Sequence, residues 1–353
     1  MSSTICGYKL LCSAEGYYIS YKSGRLFKHR DLNDKPELLA RLRLSRLSYF
    51  RLAVRALRLE PRTATSIGDG QILLSHQGAI YNIDIHNDCI RREHLFRMGM
   101  NNPLNFCVTD EPIRRILYGE YWTNMHKERV CIFERNDRGS WEECFAFNAG
   151  EITHIHQIVY DKFRKCFWVL TGDADNESAI WRANCDFSEV KAIFRGNQIY
   201  RSCVLVPEKT GLLYATDTPL ENNAIYYIPI EGNSILPPRK IYDMPGPCIY
   251  GKSINKDLCA FSTSVEPDSS LPTWRYYLTS KLGKGVKSRN SYIVAGNSKD
   301  GFKKIFNARK DRWNMSLFQF GNIQFPDIEA NKKLFCTGHA LRGIDGKTVI
   351  IEI

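Results

Sequence analysis

Residues 71–84, "QILLSHQGAIYNID", decide the fold: an apolar run opens at Ile72, a Gln77–Gly78 turn breaks it, and a second strand-like run answers. Short apolar runs bounded by turn residues read as paired strands. Working outward, the same unit appears upstream as "KLLCSAEGYYISY" at 9–21. Downstream it recurs around "RILYGEYWTN" at 115–124, "CFWVLTGDADNESAIWRA" at 166–183, "LLYATDTPLENNAIYYI" at 212–228, "LCAFSTSVEP" at 258–267 and "LFCTGHALRG" at 334–343. The runs that open at Ile72, Ile116, Phe167, Leu212 and Leu258 are separated by 44, 51, 45 and 46 residues. Self-similarity at this period, with four short strands per unit, is the signature of β-propeller blades. The reading is therefore an all-β propeller of seven blades, or six if residues 30–65 are an insertion within a blade. The C-terminal strand "TVIIEI" closes the ring. Residues 1–353 read as a single propeller domain with an Arg-rich irregular stretch at 30–65 and an insertion at 281–307.

Composition narrows the function classes. Apolar residues make up 43% of the 353-residue chain and aromatics 12%, which supplies a core and favours sheet. No apolar run approaches the roughly 18 residues of a transmembrane span, and "MSSTICGYKLLCSAEGYY" does not read as a signal peptide. None of the twelve cysteines forms a Cys-x-x-Cys pair, which removes zinc-ribbon and thioredoxin-type sites. Most sit in apolar runs such as "RVCIF" and "KCFWV", where Cys packs as a small hydrophobe. These features lead us to expect a reduced, cytoplasmic setting.

The net charge of +11 favours anionic partners. Its steepest part is Arg41–Arg62, with seven Arg and one acid, Glu60. That stretch reads either as a contact for an anionic surface or as a solvated outer blade face. No RNP-like, helix-turn-helix or Cys/His-finger pattern accompanies it, so nucleic acid is not an expected partner.

In the third unit the turn "RNDRGSW" at 135–141, with Asp137, Gly139 and Trp141, joins the third and fourth strands. It resembles the Asp-box turn of the sialidase-like (Asp-box/BNR-repeat) β-propellers, with one residue fewer before the Trp and Asn136 or Arg135 in place of the leading Ser or Thr. The resemblance implies architecture rather than catalysis, because the Asp-box is a structural turn. Sialidase activity is not expected: no Arg-Ile-Pro segment is present, and only Arg201 and Arg342 are candidates for a carboxylate-binding Arg cluster.

Propeller geometry places the loops entering the inner strand and leaving the second strand on one rim of the central channel. That rim carries His154 and His156, two apart and so on one side of a strand. With them come Tyr200 and Arg201, Tyr250, Glu120 and Tyr121, Asp173 with Asp175 and Glu177, Asp217, and His339 with Arg342. Convergent polar and aromatic groups at a ring mouth form a binding site by default. Three chemistries use such a set. β-Elimination on an acidic glycan takes a His or Tyr base and a cation for the uronate, supplied by His154, His156, Tyr200 and Arg201. Lyases built on propellers are similar in residue type. Two-carboxylate glycoside hydrolysis would use Glu120 and Asp173. No organic cofactor is called for, but His154, His156 and Asp173 suit a divalent metal. The remaining residues, Tyr121, Asp175, Glu177, Asp217, Tyr250, His339 and Arg342, are candidate substrate contacts. The favoured reading is a carbohydrate-active propeller that binds or cleaves an acidic oligosaccharide or polysaccharide, with elimination ahead of hydrolysis. The rival is a non-catalytic scaffold for a protein or an anionic surface.

Overall fold

The computed structural model describes residues 2–42, 46–329 and 332–353. Among them are seven four-stranded antiparallel sheets arranged as propeller blades; the fifth carries an additional two-residue strand. Six blades follow in chain order, with strands spanning 9–41, 64–95, 107–147, 155–195, 202–244 and 250–309. The seventh takes three strands from the C-terminus (Asn322–Gln324, Lys333–His339 and Thr348–Glu352) and its outermost from Ser3–Cys6. Ser3 pairs with Ile351 and Cys6 with Thr348, so the first and last strands together close the ring.

Blade stacking explains the apolar runs. The second strands Cys166–Thr171 and Gly211–Thr216 are buried at every residue, because each is covered by a neighbouring blade on both faces. A strand covered on both faces needs consecutive apolar residues, not alternating ones. The outer strands Cys89–Leu95 and Val190–Arg195 have no fully buried residue and are rich in charge. The core lies between blades: Leu117, Val130 and Phe147 of the third pack with Ile155, Ile158 and Phe167 of the fourth. All twelve cysteines are free thiols, eight of them buried in this packing.

The blade count is seven. Residues 30–65, the alternative blade insertion, hold the outer strand of the first blade (Glu37–Arg41), a short helix α1 (Arg51–Ala56) and the start of the second blade at Ala64. The expected insertion at 281–307 also resolves differently. Asn290–Asn297 and Gly301–Arg309 are regular third and fourth strands of the sixth blade. The added length lies at 263–289, which carries helix α2 (Thr273–Leu278). The turn at 135–141 joins third and fourth strands as expected, but Asn136 makes it: its Oδ1 accepts from the backbone N–H groups of Arg138 (3.0 Å) and Ser140 (2.9 Å).

The Arg-rich stretch is only partly a solvated face. Arg51 forms a bidentate pair with Asp345 at 2.8 Å and also meets Glu60. Arg55, 2% exposed, donates to the Phe318 carbonyl at 2.8 Å and pairs with Asp311 at 2.5 Å. Arg41 and Arg46 face solvent, and Arg43 lies outside the described residues. Ser316 Oγ donates to the Tyr276 carbonyl at 3.0 Å and Asn314 Nδ2 to that of Thr279 at 3.3 Å. These bonds join α1, residues 311–320 and α2 into one cap over the rim beside the sixth, seventh and first blades.

Within the fourth blade, fully buried Asp161 accepts from Trp168 Nε1 at 3.0 Å, Arg164 Nη1 at 2.7 Å and the Phe163 N–H at 3.0 Å. Removing one partner of a buried, hydrogen-bonded charge strands the others. Asp161→Ala is expected to cost about 3–5 kcal/mol, read as a lowered urea midpoint, with Asp161→Asn closer to wild type.

Candidate functional site

The inner strand of the fourth blade, Ile155–Asp161, enters the channel at the capped rim with a register shift at His156. His154 Nδ1 lies 2.7 Å from the Trp122 carbonyl, and His156 Nδ1 lies 2.9 Å from that of Ser202. A carbonyl only accepts, so each Nδ1 carries its hydrogen and each Nε2 presents a lone pair. The two Nε2 atoms face one another at 2.8 Å. Asp173 completes the group, with Oδ1 3.5 Å from His156 Nε2 and Oδ2 3.7 Å from His154 Nε2. Two bare imidazole lone pairs at this distance repel unless a proton or a cation lies between them.

Local backbone geometry puts Asp173 there. Gly172 has φ +96°, and a Cβ on it would fall 2.3 Å from the Glu177 backbone, so the turn needs glycine. Burial opposes the charge of Asp173, but Arg201 and the two imidazoles outweigh it and hold its carboxyl well below the usual range. Arg201 Nη2 meets Asp173 Oδ1 at 2.9 Å. Burial also pushes His154 down to about 4, so that ring is neutral at physiological pH.

Beyond this group, Tyr121 stands edge-on to His154 with ring centroids 4.7 Å apart. Arg62 lies over the Tyr121 ring, 5.0 Å from its centre, and donates to the Asn102 carbonyl at 3.4 Å. Arg58 is its neighbour. Among the described residues no carboxylate comes within 4 Å of either guanidinium. Arg58, Arg62, Tyr121, Tyr250 and His339 line a chamber of 310 Å³. A second cavity of 420 Å³ runs along the channel past His156 and Cys203 to Asp327. Asp217 accepts from the Cys203 thiol at 3.2 Å. Nearby Glu266 is pushed up to about 8, by burial and then by the charge of Asp217, and accepts a hydrogen bond from Ser264.

The structure thus brings together His154, His156, Asp173, Arg201, Tyr121, Asp217, Tyr250 and His339. The other rim residues serve elsewhere. Glu120 is 2% exposed, accepts from the Cys131 N–H at 2.8 Å and pairs with Arg97 at 2.9 Å, so the carboxylate pair for hydrolysis is not assembled. Glu177 is buried against Lys127 and Thr153. Asp175 accepts from Gln198 at 2.8 Å, Tyr200 stacks on Phe194, and Arg342 is exposed on the surface. Arg58 and Arg62 were hidden within the Arg-rich run. The signal for them is position: Arg62 stands two residues before the inner strand of the second blade, and that approach always lies on the channel rim.

No protein-family model and no curated protein matches the sequence. Solved structures match its shape. A chain in the crystal structure of the Mitotic Checkpoint Complex superposes with TM-score 0.59 at 7% identity, covering 100% of this chain and 93% of that one. The extracellular domain of the one-component system BT4673 from B. thetaiotaomicron gives 0.58 at 12% identity, covering 99% of this chain and 41% of that one. A third match, a gluconolactonase from Xanthomonas campestris, reaches 0.48 at 10% identity over 80% of this chain and 82% of that one. The likeness is one of fold, a propeller, and it does not show membership of the sialidase-like family. The expected cytoplasmic setting is corrected by the same finding. The shape recurs in extracellular domains, and unpaired thiols buried between blades are packing residues that carry no information about redox compartment.

Proposed function

We propose that this propeller binds an acidic glycan at the capped channel mouth and cleaves it by β-elimination, with a divalent ion held by His154, His156 and Asp173. The observation that carries the reading is the 2.8 Å approach of two Nε2 lone pairs beside a carboxylate. A proton between the rings would serve in acid, but His154 resists protonation down to about pH 4. A divalent cation accepts all three donors at neutral pH, and two imidazoles with one carboxylate are an ordinary ligand set for it. The backbone carbonyls of Trp122 and Ser202 fix both tautomers, as acceptors hydrogen-bonded to the far nitrogen of metal-binding histidines do.

An ion bound there supplies a positive charge that neutralises a uronate carboxylate and acidifies the adjacent C–H. The chain does the rest. Arg201 is occupied by Asp173, so the cations free for the substrate carboxylate are Arg58 and Arg62. A phenolate at Tyr250, its own proton given up to solvent beforehand, would take the proton α to the carboxylate. The C–O bond to the next sugar breaks as the C=C bond forms. Tyr121, whose phenol burial holds protonated, returns a proton to the leaving oxygen. Glu266 keeps its own proton near neutrality and offers a neutral O–H donor on the channel wall.

His154→Ala is expected to lower the bound divalent metal to background in elemental analysis of purified protein, and turnover of uronate oligosaccharides by more than about a hundredfold. Mass spectrometry identifies the reaction: unsaturated sugars mark elimination, and products heavier by one water mark hydrolysis. Unchanged uronate and sialate glycans with the metal bound would leave the scaffold reading. Arg62→Met should raise KM for acidic oligosaccharides by at least about tenfold while leaving the metal in place. Glu266 supplies a pH test. Its folded pKa of about 8 exceeds the ordinary 4.5, so its contribution to stability is complete below about pH 4.5 and is lost as pH rises towards 8. Wild type should therefore lose up to about 1.4 kcal/mol per pH unit across that window relative to Glu266→Gln. The two should melt alike at pH 5, with the variant the more stable at pH 9.

A further inference from the structure

The cap joining α1, residues 311–320 and α2 has an inner and an outer side of opposite character. Inside, Arg55 is tied to Asp311 and Phe318, and Met315 packs with Val265 and Val286. Outside, Tyr49, Phe50, Leu57, Trp274, Leu278 and Leu317 are exposed, Leu278 by 73% and Phe50 by 65%. Exposed apolar groups scattered singly need no explanation, but six in three segments tied together by hydrogen bonds do.

The charges of the same face are one-sided. Arg46, Arg275, Lys284 and Arg312 are exposed, and among the described residues none has a carboxylate within 4 Å. The acids of these segments are paired or buried: Glu60 with Arg51, Asp268 with Lys281, Asp311 with Arg55, and Glu266 buried beside Ser264. Two of the arginines lie over the rings beside them in sequence, Arg275 4.9 Å from the centre of Trp274 and Arg312 5.0 Å from that of Trp313.

We infer that the outer face of the cap docks onto an anionic lipid bilayer. Indole and phenol rings sit at headgroup depth, aliphatic side chains reach the acyl boundary, and an arginine fringe meets lipid phosphate and carboxylate. Charge complementarity selects this occupant, since the face offers cations without competing acids. Docking in this way turns the channel mouth towards the lipid surface. The inference stands apart from the metal-site reading, because none of its residues is a ligand.

Co-sedimentation of the full-length protein with phosphatidylcholine vesicles, with and without phosphatidylserine, tests it. The protein should pellet with the phosphatidylserine vesicles and be released by salt. Affinity should fall at least about tenfold in Arg275→Glu/Arg312→Glu and in Trp274→Ala/Leu278→Ala. Unchanged thermal melting shows that these variants are folded, and His154→Ala should bind vesicles as wild type does. Equal binding to both vesicle types, or binding that both double variants retain, would overturn the inference. So would absence of vesicle binding together with self-association that Trp274→Ala/Leu278→Ala abolishes in sedimentation velocity, which would make the face an interface between copies.

Discussion

Face-to-face stacking of sheets governs the molecule. A blade alone leaves its second strand open to water on both sides, and only two neighbours make runs such as Cys166–Thr171 tolerable. The ring follows, since any open row of blades has two uncovered faces. Because the core lies between the blades, the axis is free of packing duties. Polar and charged groups can collect there without unravelling the fold, as the cluster of His154, His156, Asp173, Arg201 and Asp217 shows.

The same constraint explains what the sequence made legible. Second strands are nearly pure apolar runs, so their period could be counted by eye, and the number of blades with it. Outer strands such as Val190–Arg195 carry almost no pattern of their own and are found only by position. The irregular segments were hardest. Residues 281–307 look polar and repetitive, yet from Asn290 they form the third strand of the sixth blade, with Ile293 and Val294 buried, and its half-exposed fourth strand. The long excursion sits earlier, at 263–289, where Trp and Tyr residues resemble strand material and instead build the cap.

For the site, residue type and rim position made His154, His156 and Asp173 candidates, but same-side spacing does not describe how the rings meet: His154 precedes the strand, the register shifts at His156, and the two rings reach carbonyls of the third and fifth blades. Glu120 and Glu177 satisfied the same rule and are occupied structurally. Nothing in sequence reveals that Arg97 or Lys127 waits to neutralise them across a loop. Arg58 and Arg62 failed in the other direction. Their neighbours Arg51 and Arg55 are consumed by Asp345 and Asp311, residues about 260–290 positions away, so the free cations could be told from the engaged ones only once the ring had closed.

That closure has a kinetic side. Among the described residues, Ser3–Cys6 finds its β partner at Thr348–Ile351, nearly 350 positions away. During synthesis the first strand waits as an unpaired edge while six blades form beside it, and the seventh cannot be completed until Thr348–Glu352 has left the ribosome. Contacts of such sequence separation are slow to form, and an open edge invites pairing with another chain. The short, water-exposed character of this strand, with Ser3 and Thr4 among its four residues, makes it a poor template for association during that wait. Its low stickiness protects the nascent protein at the stage when the ring is most vulnerable.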